Sequence, residues 1–287
     1  MVSAPMLAGA AAVYAQPMEF SPAPDLPQAL AADDVLRPDW PAPAHVRALC
    51  TTRHGGVSKP PFDRLNLGAW VGDAPLDLAH NVGLLTATLG ARPVFLRQVH
   101  GWALQELDAQ TGQHQEADGS FTGQTGLACT IGAADCLPIL LCHVSGGRAT
   151  QVGALHAGWR GLAGEAGLGV VEAFFASPAA YGRPPDQWLA WLGPCIGPQA
   201  FEVGPEVRAA FLRAGAQAAS AFQAAAGGKY LANLPDLARQ RLAACGVRHI
   251  YGNDARPAWC TVGNPLRFFS YRRERVTGRQ VAAIALV

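Results

Sequence analysis

Several absences limit the kinds of protein that this sequence can encode. No apolar run is long enough to cross a bilayer, so no transmembrane helix is expected. The chain has 22 Lys+Arg against 21 Asp+Glu, and it has no basic stripe with interleaved aromatic residues. Because a nucleic-acid site needs such a stripe, we do not expect a nucleic-acid polymer as a partner. Because a long apolar run is missing, we do not expect a membrane as a partner either.

Cysteine pairs and a charged leader are also lacking. The 7 cysteines are odd in number and widely scattered, and they form no Cys-x-x-Cys pair. A disulfide framework is therefore not expected, and a reducing compartment fits this usage better. No Lys or Arg precedes Arg37, so the Ala-rich N-terminal segment does not match a signal peptide. We expect a cytoplasmic protein.

The composition is that of a globular protein with a large core, because 50% of the 287 residues are hydrophobic. Residues 1–40 are rich in Ala and Pro, which is typical of an N-terminal extension that is partly disordered. No Ser/Gly linker, charge block or internal repeat divides the remainder. We therefore expect residues 41–287 to form a single domain.

Short apolar runs bounded by Gly, Pro or Asp predict strands. They are Val46–Thr51, Val94–Val99, Leu127–Ile131, Leu137–His143, Gln151–Leu155, Trp188–Leu192, His249–Tyr251 and Val281–Leu286. The predicted helices are Leu76–Leu89, Leu162–Phe175, Pro205–Ala225 and Leu234–Cys245. The last has Asn233 as its cap and Gly246 at its end. Since strands and helices mix without strict βαβ alternation, the pattern favours an α+β fold with layered sheets.

Two histidines and one cysteine stand out by their positions. His100, Cys136 and His156 each lie at an end of a short apolar run, in VFLRQVHG, ADCLPILL and QVGALHAGWRG. A strand that ends there would present the side chain to a shared cleft. Two imidazoles and a thiolate without an obvious fourth ligand are typical of catalytic zinc, which keeps one position open. The same residues also fit a Cys136 nucleophile with His156 as its base.

A glycine-rich turn follows His156, in the segment His156-Ala157-Gly158-Trp159-Arg160-Gly161. Glycines let the backbone approach a ligand, a helix start offers free N–H groups, and Arg160 adds a fork of donors. The turn therefore predicts an anion pocket, although its spacing is not that of a P-loop. The alternative is a tight turn that binds nothing.

These segments belong to a longer series that is specific as a combination. Along the chain, in one order, run TxRxGGVS, LNLG, NVGLL, QVHG, ADCLPILL, LHAGWRG, GPCIGP, FEVG and SYRR. The series resembles the YfiH family, also called the laccase-domain or polyphenol oxidase family, and it spans residues 51–287. The resemblance implies a layered α/β/β/α sandwich with mixed sheets, in which residues 41–287 are the catalytic domain.

The resemblance also implies a metal, usually assigned as zinc, on His100, Cys136 and His156. The activities that it implies are phosphorolysis of adenosine, inosine, guanosine and methylthioadenosine, and deamination of adenosine. It further implies removal of wrongly incorporated serine from a peptidoglycan precursor, and copper-dependent phenol oxidation. The expected substrates are a purine nucleoside and phosphate, with the preferred nucleobase and the oligomeric state left open.

The residue content weakens the oxidase hypothesis. A trinuclear copper cluster normally needs several His-x-His pairs, and the 8 histidines form none. A blue-copper site adds an axial Met to its His and Cys ligands, whereas the methionines here are Met1, Met6 and Met18. Cu²⁺ could still occupy a site of two nitrogens and one sulfur, but zinc fits that site better.

Zinc lowers the pKa of a bound water to about 7, so that water could attack C6 of adenosine. Asp118 or Asp135 is the expected proton relay for that reaction. The competing hypothesis is a cysteine hydrolase, with Cys136 as nucleophile, His156 as base and backbone N–H groups as the oxyanion hole. Such an enzyme would cleave an amide, as the peptidoglycan activity requires.

Phosphorolysis makes a different demand, because a phosphate must be held near the ribose C1′. Arg53, Arg160 and the Gly158–Gly161 turn are the expected phosphate ligands. Arg272 and Arg273, in the SYRR segment, are further candidates.

Overall fold

The computed structural model describes residues 28–287. Their strands belong to three sheets. In chain order the strands are β1 (Val35–Leu36), β2 (Val46–Thr51), β3 (Arg92–Val94), β4 (Leu104–Glu106), β5 (Gly119–Thr122), β6 (Leu127–Ala133), β7 (Leu137–Ser145), β8 (Arg148–Ala157), β9 (Trp188–Leu192), β10 (Glu202–Val203), β11 (Phe222–Ala224), β12 (Tyr230–Ala232), β13 (His249–Gly252) and β14 (Gln280–Leu286).

The α-helices are short apart from the first and the fifth. In chain order they are α1 (Pro75–Leu89), α2 (Trp159–Ala163), α3 (Val170–Ala176), α4 (Pro205–Leu212), α5 (Leu234–Ala244) and α6 (Tyr271–Glu274). Among residues 28–287, no helix combines the length and apolar character that a bilayer span requires.

Two large mixed sheets organise the fold. One has the order β1-β2-β14-β6-β3, and the other has the order β13-β9-β7-β8-β5-β4. Strand β3 runs parallel to β6 and β13 runs parallel to β9, whereas β7 and β8 are antiparallel neighbours. A small third sheet has the order β10-β12-β11.

Alternation of side chains along the strands explains the layering. In β14, Ile284 joins a core between the two large sheets, whereas Ala283 joins a second core that α1 covers. In β7, Leu140 joins the central core, whereas Ile139 joins a third core that α3, α4 and α5 cover. Each of these strands thus packs one face on the other large sheet and the opposite face on helices. The order of layers is therefore helix, sheet, sheet, helix. This confirms the predicted α+β class and the α/β/β/α sandwich.

Most predicted strands are present with shifted ends, but the prediction for Val94–Val99 is wrong. The strand ends at Val94. Beyond it the backbone turns to another segment, where Phe95 O accepts a hydrogen bond from His114 N and Arg97 N donates to Gln115 O. These bonds replace the sheet ladder, so the residues that follow form a loop.

Two predicted helices are also wrong in their extent. The predicted Leu162–Phe175 helix is divided into α2 and α3, because Gly164, at a φ of +65°, turns the chain. The predicted Pro205–Ala225 helix stops after α4, and its last residues form β11, which pairs with β12. Sheet pairing there outweighs the helix propensity of an Ala-rich segment. Asn233 does cap α5, accepting from Asp236 N at 3.1 Å.

Part of the predicted N-terminal extension packs onto the fold. Residues 1–27 of that extension lie outside the described residues. Residues 28–40 carry β1, which pairs antiparallel with β2. Leu30 and Val35 are buried in the core that α1 covers. The packed chain therefore begins before residue 41.

A buried asparagine in α1 fastens the loop that precedes the helix. Asn81 is fully buried, and its Oδ1 accepts from Val57 N at 3.0 Å. Its Nδ2 donates to Ser58 Oγ and to the carbonyls of Arg64 and Asn66 at 2.9–3.1 Å. One side chain thus satisfies four polar groups of the loop.

Asn81→Ala should lower the free energy of unfolding by about 2–4 kcal/mol, because it leaves buried polar groups without partners. The control is His80→Ala, which changes an exposed neighbour on the same helix and should shift stability by less than about 0.5 kcal/mol. Urea unfolding of both variants and the wild type measures the difference. Equal stability of the two variants would show that the loop does not depend on Asn81.

Candidate metal centre and its cavity

The structure brings together the two histidines and the cysteine that the sequence singles out. His156 lies one residue before the end of β8, Cys136 directly precedes β7, and His100 lies in the loop after β3. Pro138 pairs with His156, so the start of β7 and the end of β8 share one edge of the sheet. One donor atom from each of His100, Cys136 and His156 lies within 4.8 Å of the others.

A buried carboxylate orients both histidines. Asp118 is fully buried, and its Oδ1 accepts a hydrogen bond from His156 Nδ1 at 2.7 Å. This bond leaves His156 Nε2 free for a metal. The same carboxylate accepts from the backbone N–H groups of Val99, His100 and Gly101 at 3.2, 2.9 and 2.7 Å. Burial disfavours the charge of Asp118, but His156 and the backbone donors lower its pKa overall.

The loop that carries His100 is held on its other side by Gln98. Gln98 Nε2 donates to Gly132 O, and Gln98 Oε1 accepts from Gly132 N, both at 2.9 Å. The side-chain carboxamide of Gln98 therefore makes the two hydrogen bonds to β6 that the backbone of a neighbouring strand would make in a sheet. Between the anchors at Gln98 and Asp118, His100 adopts a φ of +63°, which is uncommon for a residue other than glycine. The two anchors fix the backbone from which its imidazole projects.

Asp135 shapes the turn that presents Cys136. Its φ is +102°, its Oδ1 accepts from Thr261 Oγ1 at 2.6 Å, and its Oδ2 accepts from Arg272 N at 2.6 Å. These bonds tie the start of β7 to the segment that contains α6. The thiol of Cys136 is thereby placed at the sheet edge, facing the two imidazoles.

The donor set fits a divalent metal that takes nitrogen and sulfur ligands. Cys136 Sγ lies 3.8 Å from His100 Nε2. Ligand atoms around tetrahedral zinc lie about 3.3–3.6 Å apart, so small side-chain rotations close the difference. Gly158 leaves the space, because a Cβ there would lie 3.1 Å from both Cys136 Sγ and His100 Cδ2. Three protein ligands leave one position for water or substrate.

Cys136 and His156 each favour the charged form of the other. Burial opposes the thiolate, but the charge of His156 and hydrogen bonds from both imidazoles lower the pKa of Cys136 to about 6. Burial also opposes the imidazolium, yet the thiolate and Asp118 raise the pKa of His156 to about 9. By contrast, burial raises the pKa of Cys142 to about 12. Cys136 is therefore suited to be a metal ligand or a nucleophile.

A cavity of about 520 Å³ opens over these donors, within the range of small-molecule sites. Its wall combines aromatic and charged side chains. Besides the three donor residues, the lining includes Trp70, Phe95, Trp159, Phe201, Tyr271, Asp135, Arg272 and Arg279.

The arginines that the sequence proposes as phosphate ligands are dispersed. Arg272 lines the cavity. Arg53 instead pairs with Glu274 at 2.9 Å, with its side chain 13% exposed. Arg273 also pairs with Glu274 and donates to the carbonyls of Thr261 and Phe268. Arg53 and Arg273 thus hold the chain around α6 together.

The glycine turn packs against the residues of the candidate metal centre, because a Cβ at Gly158 would approach Cys136 and His100. Arg160 stacks on Trp159, with its Cζ 4.5 Å from the ring centroid, and it is Trp159 that lines the cavity. Gly161 has a packing role, since a Cβ there would lie 2.5 Å from Gly101 O. Its small size lets α2 approach the loop that carries His100.

The two predicted proton relays lie in different environments. Asp135 lines the cavity, whereas Asp118 is fully buried and reaches the site through His156. Sequence reasoning missed Arg279, which also lines the cavity. Its neighbour Gln280 pairs with Ala133 of β6, two residues before Asp135. This register brings Arg279 to the site, and no sequence motif signals it.

Known proteins match this chain over most of its length. Residues 47–287 match the family described as multi-copper polyphenol oxidoreductase laccase. A purine nucleoside phosphorylase of Pseudomonas aeruginosa is 50% identical over 252 residues, covering 88% of this chain and 98% of that protein. The purine nucleoside phosphorylase YfiH of Escherichia coli K12 is 46% identical over 255 residues, covering 88% and 99%.

Solved structures share the fold. A crystal structure of a Neisseria meningitidis protein has a TM-score of 0.79 at 40% identity, covering 88% of this chain and 99% of that one. The crystal structure of YlmD from Geobacillus stearothermophilus has a TM-score of 0.76 at 32% identity, covering 92% and 99%. The chain therefore belongs to the YfiH family of laccase-domain proteins.

Proposed function

We propose that this protein is a zinc-dependent purine nucleoside phosphorylase that accepts adenosine, inosine, guanosine and methylthioadenosine. The observation that carries the proposal is the convergence of His100, Cys136 and His156 on a cavity lined by aromatic rings and arginines. Relatives at 50% and 46% identity are named purine nucleoside phosphorylases. We also propose a cytoplasmic location, where its free cysteines would stay reduced.

The cavity suits a nucleoside and an inorganic phosphate together. Phe95, Trp159 and Phe201 supply flat apolar surface for a purine ring. Arg272 supplies positive charge for the phosphate. Holding both substrates in one enclosed space provides the orientation that a two-substrate reaction needs.

The metal would be held by His100, Cys136 and His156. When bound, zinc would supply a Lewis acid that polarises an oxygen of the substrate or of water. Asp118 holds a proton on His156 Nδ1 and so keeps Nε2 available. We propose Asp135 as the proton relay, because its carboxylate lines the cavity.

In phosphorolysis, a phosphate oxygen forms a bond to the ribose C1′ while the bond from C1′ to the purine nitrogen breaks. The purine leaves with the electron pair of that bond and takes up one proton. The products are the free base and ribose-1-phosphate. The ribose carries positive charge at the transition state, so a phosphate dianion held beside C1′ stabilises it.

We extend the proposal to adenosine deamination at the same site. Water would add to C6 of the purine, and the amino group would leave as ammonia after gaining a proton. Since this reaction consumes water, ammonia release should not depend on phosphate.

A second candidate is a cysteine amidase that edits a peptidoglycan precursor. Its support is the lowered pKa of Cys136 and the raised pKa of His156, which favour a thiolate–imidazolium ion pair. Copper-dependent phenol oxidation is a third candidate, and it rests on the description of the matching family. We prefer the metal-centred proposal because a Cys–His pair would not need His100, which converges on the same point.

Zinc-loaded protein incubated with adenosine and phosphate should give adenine and ribose-1-phosphate, because phosphate is the attacking group. Chromatography of the bases measures the products, and phosphate-free reactions are the control. Cys136→Ser should lose zinc and phosphorolysis together, since the thiolate is a metal ligand.

Adenine formation that persists without phosphate or arsenate would contradict the phosphorylase proposal. A Cys136→Ser protein that keeps its zinc but loses amide cleavage would favour the amidase.

Zinc binding should displace one proton from His156 near pH 7.5, in addition to any proton lost by zinc-bound water. At this pH Cys136 is already a thiolate, with a pKa of about 6, whereas His156 carries a proton until pH rises through about 9. The metal must displace that proton, so apparent zinc affinity should rise at least about tenfold per pH unit from pH 6.5 to 8.5, and the contribution of His156 should level off above pH 9.

A pH indicator in weak buffer, with a competing chelator of known affinity, measures both quantities. Cys136→Ser should release less acid on zinc addition, because the variant lacks both a metal ligand and the thiolate that raises the pKa of His156. A zinc affinity that stays flat between pH 7 and 9 would disprove the ion pair.

A further inference from the structure

Arg279 enters the cavity wall from the turn before β14. Its backbone N donates to Asn66 Oδ1 at 2.9 Å, and its carbonyl accepts from Leu67 N at 3.1 Å. Its aliphatic stem passes Gly68, where a Cβ would lie only 2.6 Å from Arg279 Cγ. The LNLG segment therefore forms a slot that fits the stem of this arginine.

The guanidinium of Arg279 is half-buried but keeps its charge. Burial lowers its pKa, while the charges of Cys136 and Asp135 act in the opposite direction. Its Nη1 donates to the carbonyls of Thr277 and Gly278 at 2.9 and 3.0 Å. Within residues 28–287, no carboxylate lies within ion-pair distance of it. A partly desolvated cation in a cavity wall, without an acidic partner, favours an anionic ligand.

We propose that Arg279 is the principal ligand of inorganic phosphate in this cavity, with Nε and Nη2 donating to two phosphate oxygens. The inference rests on the proposed phosphorylase function and assigns its phosphate subsite. It places the anion between Arg279 and the metal centre, because the same cavity is lined by Arg279, His100 and Cys136. There the phosphate would lie beside the reacting carbon of a nucleoside held by the aromatic rings.

Two other arginines near the site are less available. The guanidinium of Arg272 donates to the carbonyls of Ala200 and Glu202 at 3.3–3.4 Å. Arg160 stacks on Trp159 and does not line the cavity. Arg272 therefore adds charge to the wall with both Nη atoms engaged, whereas Arg279 uses only Nη1 and, among residues 28–287, keeps Nε and Nη2 without a hydrogen-bond partner.

Asn66 is the positioning residue for Arg279. It is fully buried, and its Nδ2 donates to Asp73 Oδ2 at 2.9 Å. Its Oδ1 accepts from both Gly68 N and Arg279 N at 2.9 Å. Both ends of the carboxamide are thus fixed, and the arginine backbone is fixed with them.

The first test compares Arg279→Gln and Arg279→Lys in the full-length, zinc-loaded enzyme. Arg279→Gln should raise the KM for inorganic phosphate about 30-fold, because a pair of charge-assisted hydrogen bonds is lost, and should change the KM for inosine less than about 3-fold. Arg279→Lys keeps the charge without the fork, so its KM for phosphate should be intermediate. The control is Arg148→Gln, at the exposed start of β8 and far from His156, which should leave both KM values unchanged.

A second test displaces Arg279 without removing its charge. Gly68→Ala places a Cβ against Arg279 Cγ and should raise the KM for phosphate about 10-fold by displacing the guanidinium. Gly112→Ala is the control, since its Cβ would meet its nearest neighbour, Gln115 Nε2, at an ordinary 3.7 Å. Unchanged phosphate KM values in both Arg279→Gln and Gly68→Ala would overturn the inference.

Calorimetry with inorganic phosphate separates this inference from the proposed function. Phosphate binding by the wild type and its loss in Arg279→Gln would support the subsite even if the enzyme cleaved no nucleoside. The absence of cleavage would refute only the proposed phosphorylase activity. Equal phosphate affinity in the two proteins, or none in the wild type, would overturn the subsite. Weaker inhibition of Arg279→Gln by AMP, with an unchanged phosphate KM, would also overturn it, because the arginine would then hold a nucleotide phosphate.

Discussion

The hydrogen bonds of the Asp118 carboxylate determine the geometry of the whole site. One oxygen holds the Nδ1 proton of His156, and the carboxylate also binds three consecutive backbone N–H groups of the loop that carries His100. A single buried anion thus sets the tautomer of one histidine and the backbone position of the other. It needs no Lys or Arg partner, because the imidazole and the backbone dipoles stabilise its charge in the interior.

The layered fold explains how the remaining parts reach the same place. Cys136 and His156 come from neighbouring strands of the six-stranded sheet, whereas Gln98 and Arg279 are attached to the five-stranded sheet through Gly132 and β14. Both sheets thus contribute to the cavity: the six-stranded sheet presents Cys136 and His156, whereas the five-stranded sheet presents Arg279 and anchors the loop of His100. The rigid central core between the sheets keeps these two groups at a fixed separation.

The sequence alone predicts the layered fold and the three side chains that converge in the structure, because both leave local signals. Strand periodicity and the ends of predicted strands mark His156 and Cys136, and the order of the short motifs indicates the family fold. The phosphate ligands are harder to predict, because the sequence pattern of an arginine beside a glycine is the same whether the arginine binds an anion or a backbone carbonyl. Arg53 and Arg273 pair with Glu274, which only tertiary contacts reveal. Arg279 reaches the cavity through strand register and a contact with Asn66, 213 residues away in sequence.

The central claim is that His100, Cys136 and His156 bind one zinc ion through two imidazole nitrogens and one thiolate sulfur. The fourth position of the ion stays open to a nitrogen or oxygen atom of water or substrate. X-ray absorption at the zinc edge of the purified protein tests this most directly. The account predicts one sulfur at about 2.3 Å and three nitrogen or oxygen atoms at about 2.0–2.1 Å. A shell without sulfur, or one with several sulfurs, would contradict it.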